Sequence, residues 1–176
     1  DMRAGLALLN DELKKAGMQT SVPRTRGLQV AKLDYIRLDD DKEPWISGDA
    51  EIYTLVNGIA PEASRANVLA MEMPYLDKDD KDYYPKQVLI VWDNYRYKAA
   101  NLNVYEHDDS SNYKEIAAML VEKIGAVVPE YKFIFDIASK IIRLMPDSWF
   151  VNDDDYVDVF YTMEMGKTYT RYKGAS

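Results

Sequence analysis

From Leu28 onward, apolar and polar positions alternate in short runs bounded by Asp, Asn, Gly and Pro, which is the pattern of half-buried strands. Leu28, Val30 and Leu33 lead into Tyr35-Ile36-Arg37-Leu38, a first strand ending at Asp39-Asp40-Asp41. Asp49-Ala50-Glu51-Ile52-Tyr53-Thr54-Leu55-Val56 predicts a second, stopped by the turn signal Asn57-Gly58. Ala66 to Met73 predicts a third, ended by Pro74. Lys86 to Trp92 is almost continuously apolar and predicts a strand covered on both faces. Asn101 to Tyr105 alternates as a half-buried strand, and Tyr156 to Met163 predicts another. Tyr169 to Tyr172 has the composition to begin one more.

The period lengthens to 3.6 in two places. Leu6, Leu9 and Leu13 make a stripe within residues 5–17, an amphipathic helix closing at Gly17. Met18 to Gly27, with Pro23, reads as a linker. After Asp109, Ile116, Leu120 and Ile124 share one helical face, with Asn112 and Glu115 at capping-box spacing, Ser110 or Ser111 as alternative caps, and Gly125 at the close. A second helix starts at Pro129, carries Ile134, Ile137, Ala138 and Ile141 inward, and stops before Pro146. The short link between these two predicts a helical hairpin. The strands are too many for helix-separated β-α-β units. The expected fold is therefore mainly β: an antiparallel β-sandwich, residues 28–176, with an α-helical hairpin inserted at about 111–146 and an N-terminal helix and linker over residues 1–27.

Composition narrows the function. A net charge of −8 leaves no basic footprint, which argues against nucleic acid. No apolar run approaches the ~20 residues that a membrane helix needs. With no Cys there is no disulfide framework, thiolate zinc site or thiol nucleophile. The abrupt start at Asp1 and end at Ser176 read as processing boundaries.

Four acidic clusters sit at the edges of the apolar runs: Asp39–Asp41, Asp77–Asp82, Glu106–Asp109 and Asp153–Asp155. Bunched carboxylates repel unless a cation lies between them, and calcium takes six to eight oxygens at roughly 2.3–2.6 Å. An EF-hand is excluded, because the Asp77 run has no Gly at position six and no flanking helices. Convergent loops fit better. Asp40 and Asp49 bracket the first loop, and Glu106 and Asp108, at i, i+2, direct alternate side chains the same way. The expected ligands of Ca2+ are Asp40, Asp49, Glu106, Asp108 and Asp109.

Each cluster has a plainer reading. The Asp77 run, with Lys78 and Lys81 interleaved, is slightly better read as a solvated loop. Glu106, Asp108 and Asp109 suit helix N-terminal capping equally well, and the two roles are compatible. Asp153–Asp155 have no base nearby and mildly favour a cation, whereas Asp158 alternates with valines as an outward polar residue. His107, the single His, is better read as an exposed loop residue than as a catalytic base, since no G-x-S-x-G elbow exists and catalytic zinc wants more than one His or Cys. A glycosidase pair such as Asp79/Asp154 is a minor option. Trp45 is either a membrane-inserting loop tip or a lid on the core. Tyr83, Tyr84, Tyr95 and Tyr97 are either core-edge residues or a platform for carbohydrate or polypeptide.

Two resemblances add to this. LQVAKLDYIRLDDDKEPWISGDAEIYTLV and ANLNVYEHDDSSNY resemble the first loop region and the later Asp-x-Asp loop of the calcium-dependent lipid-binding sandwich of synaptotagmins and protein kinase C. Ala50 stands for that family's Pro and Glu106 for its first Asp. EPWISGDAEIYTLVNGI, YEHDD-x-x-NYKE and MPDSWFVNDDDYVDVFYT resemble an exported bacterial family catalogued as a domain of unknown function. That resemblance implies a secreted or envelope setting, with the signal segment removed, and no activity. The expectation is a non-catalytic calcium-binding module whose ordered loops meet an anionic lipid surface, a glycan or another protein. The alternatives are a secreted metal-assisted hydrolase using His107, or a purely structural domain.

Overall fold

The computed structural model describes residues 27–39, 52–78, 80–106, 113–145, 156–170 and 173. Its strands are β1 (Val30–Leu33), β2 (Ile52–Ile59), β3 (Ala66–Glu72), β4 (Gln87–Val91), β5 (Ala99–Glu106) and β6 (Tyr156–Glu164). Helices α1 (Tyr113–Ile124) and α2 (Ile134–Leu144) lie between β5 and β6 in the chain. All pairing is antiparallel: β1 with β4, and a four-stranded sheet in the order β3-β2-β5-β6. The protein is mainly β, as its alternation predicts. The expected N-terminal helix and linker, up to residue 26, lie outside the described residues.

Side-chain alternation divides the core into two layers. On one face of the larger sheet, Tyr53, Leu55, Ile59, Val68 and Tyr105 pack against Ile116, Leu120 and Ile124 of α1 and Ile134, Ile137 and Ile141 of α2. These are the helical positions that the 3.6 period picks out. On the other face, Ile52, Val56, Leu102 and Val104 join Leu89, Ile90, Leu38 and Trp92, with Ala31 and Leu33 packed alongside. Burying a Leu, Ile or Val side chain contributes roughly 1.5–3 kcal/mol, so both layers are needed to hold the central strands.

Several boundaries differ from the sequence reading. Leu28 to Leu38 is not one strand: it breaks after Leu33 and leaves Ile36 in a single bridge to Tyr83. β2 does not stop at Asn57-Gly58 but runs through it to Ile59. β5 is buried along its whole length rather than half-buried, because α2 covers the face that carries Asn101 and Asn103. β4 is the converse case. Among the described residues its sheet has two strands, and Val88 stays 36% exposed despite an apolar sequence. The chain after Pro129 first makes a 3-10 turn at Tyr131–Phe133, and α2 begins only at Ile134. α1 ends where expected, at Gly125 with φ +66. Tyr169 and Thr170 form no strand.

A polar network runs through the helix-side core. Asn57 Nδ2 donates to Asn103 Oδ1 (2.8 Å) and to the Leu55 carbonyl (2.9 Å). Asn101 Nδ2 donates to Asn57 Oδ1 (3.1 Å) and to the Ile134 carbonyl (2.8 Å), while its Oδ1 accepts from Thr162 N–H (2.9 Å). Asn103 Nδ2 donates to the Ala138 carbonyl at 3.3 Å. All three side chains are fully buried. Buried amides are tolerated only when satisfied in this way.

Candidate functional site

Strand register brings the ends of several segments to one end of the larger sheet. Ile52, where β2 begins, pairs with Glu106, where β5 ends, and Tyr105 pairs with Tyr156, where β6 begins. Met73 N–H donates to the Ile52 carbonyl (2.8 Å), so the 73–83 loop also leaves from this end. Asp80 N–H donates to the Leu38 carbonyl (2.9 Å), which ties the Ile36–Asp39 segment to that loop. Each acidic cluster in the sequence therefore adjoins a chain segment at this end.

Of the five expected metal ligands, Asp40, Asp49, Asp108 and Asp109 lie outside the described residues. Glu106 lies within them, 3% exposed, on the face of β5 shared with Leu102 and Val104. An isolated carboxylate so enclosed is costly, so Glu106 is held there by a compensating environment. Among the described residues, no three His, Cys, Asp or Glu side chains come together as a metal group.

The described acids of the 73–83 loop are partnered by the protein's own donors. Asp80 meets Arg37 at 2.5 Å, and Arg37 also lies 3.5 Å from Asp39. The Asp80 hydrogen bond raises the Arg37 pKa above its ordinary value. Asp82 Oδ1 accepts from the Tyr35 hydroxyl at 2.9 Å, and this bond raises the Tyr35 pKa. Asp77 accepts from the Tyr83 hydroxyl at 2.5 Å and lies 3.6 Å from Lys81. The Tyr83 bond holds Asp77 below the usual carboxylate range, while burial first and Asp77 second push Tyr83 up. Lys81 Nζ in turn stands 4.6 Å from the Tyr83 ring centre. The described acids of this cluster are thus paired within the protein, where the interleaved lysines suggest a solvated loop.

The tyrosine series divides. Tyr83 and Tyr95 are buried, and Tyr95 donates to the Val56 carbonyl at 3.0 Å. Tyr84 and Tyr97 are exposed, Tyr84 beside Tyr35 and Tyr97 edge-on to Tyr131. Sequence reasoning missed Arg37 and Tyr35 as partners of the acidic loop, because both belong to a segment 43 and 47 residues away in the chain.

The described residues define a mainly β domain of two antiparallel sheets and two helices. The chain belongs to the family described as protein of unknown function (DUF3103), whose model matches residues 1–176. No curated protein and no solved structure matches it. Among the described residues, no helix is long and apolar enough to cross a membrane.

Proposed function

We propose that this chain is a non-catalytic calcium-binding β-sandwich module of an exported bacterial protein. The two sheets form the sandwich around the core that holds Leu102 and Ile90. Calcium, held by Asp40, Asp49, Glu106, Asp108 and Asp109, orders the loops at one end for a lipid, glycan or protein partner. One observation supports this reading: Ile52 pairs with Glu106 and Tyr105 with Tyr156, so strand ends that adjoin Asp49, Asp108 and Asp153–Asp155 in the sequence meet at one end of the sheet. Calcium sites built from several loops need such convergence. The exported setting rests on the sequence resemblance alone.

The test is thermal unfolding of the full chain with millimolar calcium, with magnesium, and with excess chelator. A ligand at ~100 times its dissociation constant adds about 2.7 kcal/mol. For a domain of this size that raises Tm by roughly 5–10 °C. The expected result is a rise with calcium that exceeds the rise with magnesium and is absent in Asp108→Ala. No rise with any metal after stripping removes the calcium reading and leaves a structural domain. A full calcium shift in Asp108→Ala removes the assigned ligand set.

A further inference from the structure

Packing puts a chemically reactive dipeptide into a central strand of the larger sheet. β2 lies between β3 and β5 and carries Asn57-Gly58 toward its end. A Cβ at position 58 would meet the Tyr95 ring and the Ala99 carbonyl, so only glycine fits there. Asn57 is fixed by its amide, which donates to the Leu55 carbonyl and to Asn103 and accepts from Asn101. The fold therefore demands both residues, side by side and in this order.

In an unstructured chain, Asn followed by Gly cyclises. The backbone nitrogen of the glycine attacks Cγ of the asparagine. The N–Cγ bond forms and the Cγ–Nδ2 bond breaks, and Nδ2 leaves as ammonia with the proton of the attacking nitrogen. Water then opens the succinimide ring at either carbonyl, leaving aspartate or its β-linked isomer, isoaspartate. A side chain on the following residue hinders the attack, and glycine lets the backbone turn into it. Of the asparagines in this chain, only Asn57 precedes a glycine.

The native state opposes this step in three ways. Met73 N–H bonds to the Ile52 carbonyl and Ala60 N–H to the Arg65 carbonyl, which sets the phase of the β2–β3 ladder. Gly58 and Asn67 are then a hydrogen-bonded pair, and the Gly58 nitrogen cannot turn toward Cγ without breaking that ladder. The leaving group is held as well, since Nδ2 donates to the Leu55 carbonyl at 2.9 Å and to Asn103 Oδ1 at 2.8 Å. Asn57 is also fully buried, which keeps water and base from it.

We propose that Asn57-Gly58 is a self-modification site which the native fold holds closed, and whose deamidation makes unfolding of this domain irreversible. Because the pair lies on a central strand, global opening removes the ladder, the amide bonds and the burial together. Either product bars the way back. An aspartate at position 57 sets a carboxylate oxygen against two acceptors, the Leu55 carbonyl and Asn103 Oδ1, in a site closed to water. Isoaspartate adds a methylene to the backbone and moves the residues beyond it out of register with β3 and β5. The lifetime of the domain is then set by how often it opens and how long it stays open.

The test holds the full chain at mildly alkaline pH, either native or in guanidinium chloride, and dilutes timed samples to refold. Peptide mass mapping and an isoaspartate-specific methyltransferase follow position 57, while circular dichroism follows recovery of the fold. The expected result is conversion at Asn57 in denaturant, with the refoldable fraction falling in step. In the native chain conversion is slower by about a thousandfold or more, in proportion to the open population. Gly58→Ala slows conversion in denaturant by about tenfold or more, a reading that does not require the variant to fold. Asn57→Asp fails to reach the native fold where the unmodified chain refolds. Similar conversion rates in native and denatured chains overturn the proposal, and so does an Asn57→Asp protein with the unmodified Tm. Refolding lost without conversion at Asn57, or kept after it, overturns it equally.

Discussion

At Gly58 a methyl group has nowhere to go. A Cβ built there stands 2.9 Å from Tyr95 Cδ1 and 3.1 Å from the Ala99 carbonyl oxygen. Tyr95 cannot swing aside, being 1% exposed with its hydroxyl on the Val56 carbonyl. The glycine is required by this close approach, and the neighbouring Asn57 by its amide bonds, so the pair signals burial here rather than a turn. That is why the dipeptide misleads when read alone: Asn-Gly is a strong turn signal, and only tertiary contacts hold it within a strand here. Gly58→Ala should cost about 1–3 kcal/mol through overpacking, a fall in Tm of roughly 2–12 °C. The same substitution in a Tyr95→Leu background should cost clearly less, since the clashing ring edge is gone. Calorimetry of the four proteins checks this, and equal costs in both backgrounds place the strain elsewhere.

At the scale of elements, the helices and most strands were legible because single faces of them carry the apolar pattern. Ile116, Leu120 and Ile124 announce α1, and Ile134, Ile137 and Ile141 announce α2. The docking of α2 on the sheet was not legible, because the asparagines that fix it look like solvent-facing residues of an alternating strand. Asn101 and Asn103 bond the Ile134 and Ala138 carbonyls, two successive turns of one helix. Asn101 also satisfies Thr162 N–H, where the β5–β6 register shifts and Thr162 takes φ +49. Four elements, β2, β5, β6 and α2, therefore meet at one amide. Asn101→Ala leaves Asn57 Oδ1 and Thr162 N–H without that donor and acceptor, at about 1–3 kcal/mol for each buried group. The expected cost is therefore roughly 2–6 kcal/mol, with hydrogen-exchange protection lost first in α2 and the end of β6. Because Asn57 and Asn101 share a bond, Asn57→Ala/Asn101→Ala should cost less than the sum of the single changes. Additive costs would mean the amides act independently.

The whole molecule carries its ionisable partners unevenly, and that gives its stability two different pH limits. The meeting of strand ends was only partly legible: the i, i+2 spacing of Glu106 and Asp108 suggests a shared direction, but the pairing of Ile52 with Glu106 is a long-range fact that no local pattern contains. The same holds for the phenols. Burial pushes Tyr75 up to about 12, the Glu164 carboxylate holds Tyr131 at about 12, and burial raises Tyr95 as well. A phenol whose pKa is raised on folding keeps its proton in the native state after the unfolded chain has lost it near pH 10. Stability from these groups is therefore complete below pH 10 and declines as the pH climbs from about 10 through 12. On the acid side the sign reverses. Asp77, held down mainly by the Tyr83 hydroxyl, and Glu164, held down mainly by Lys167 and then Tyr131, stabilise above the ordinary carboxylate range and lose that contribution as pH falls below about 4. These two carboxylates are half-buried near the surface, with 31% and 25% of their side chains exposed, so the acid limb is shallow and salt-sensitive, while buried Tyr95 makes the alkaline limb steep and salt-insensitive. Chemical denaturation from pH 3 to 12, with tyrosinate absorbance followed alongside, tests the contrast at low and high salt. Tyr95→Phe should flatten the alkaline limb, although it also loses the bond to Val56 and so lowers the plateau. An alkaline limb unchanged in shape by Tyr95→Phe would assign the transition to the exposed phenols instead.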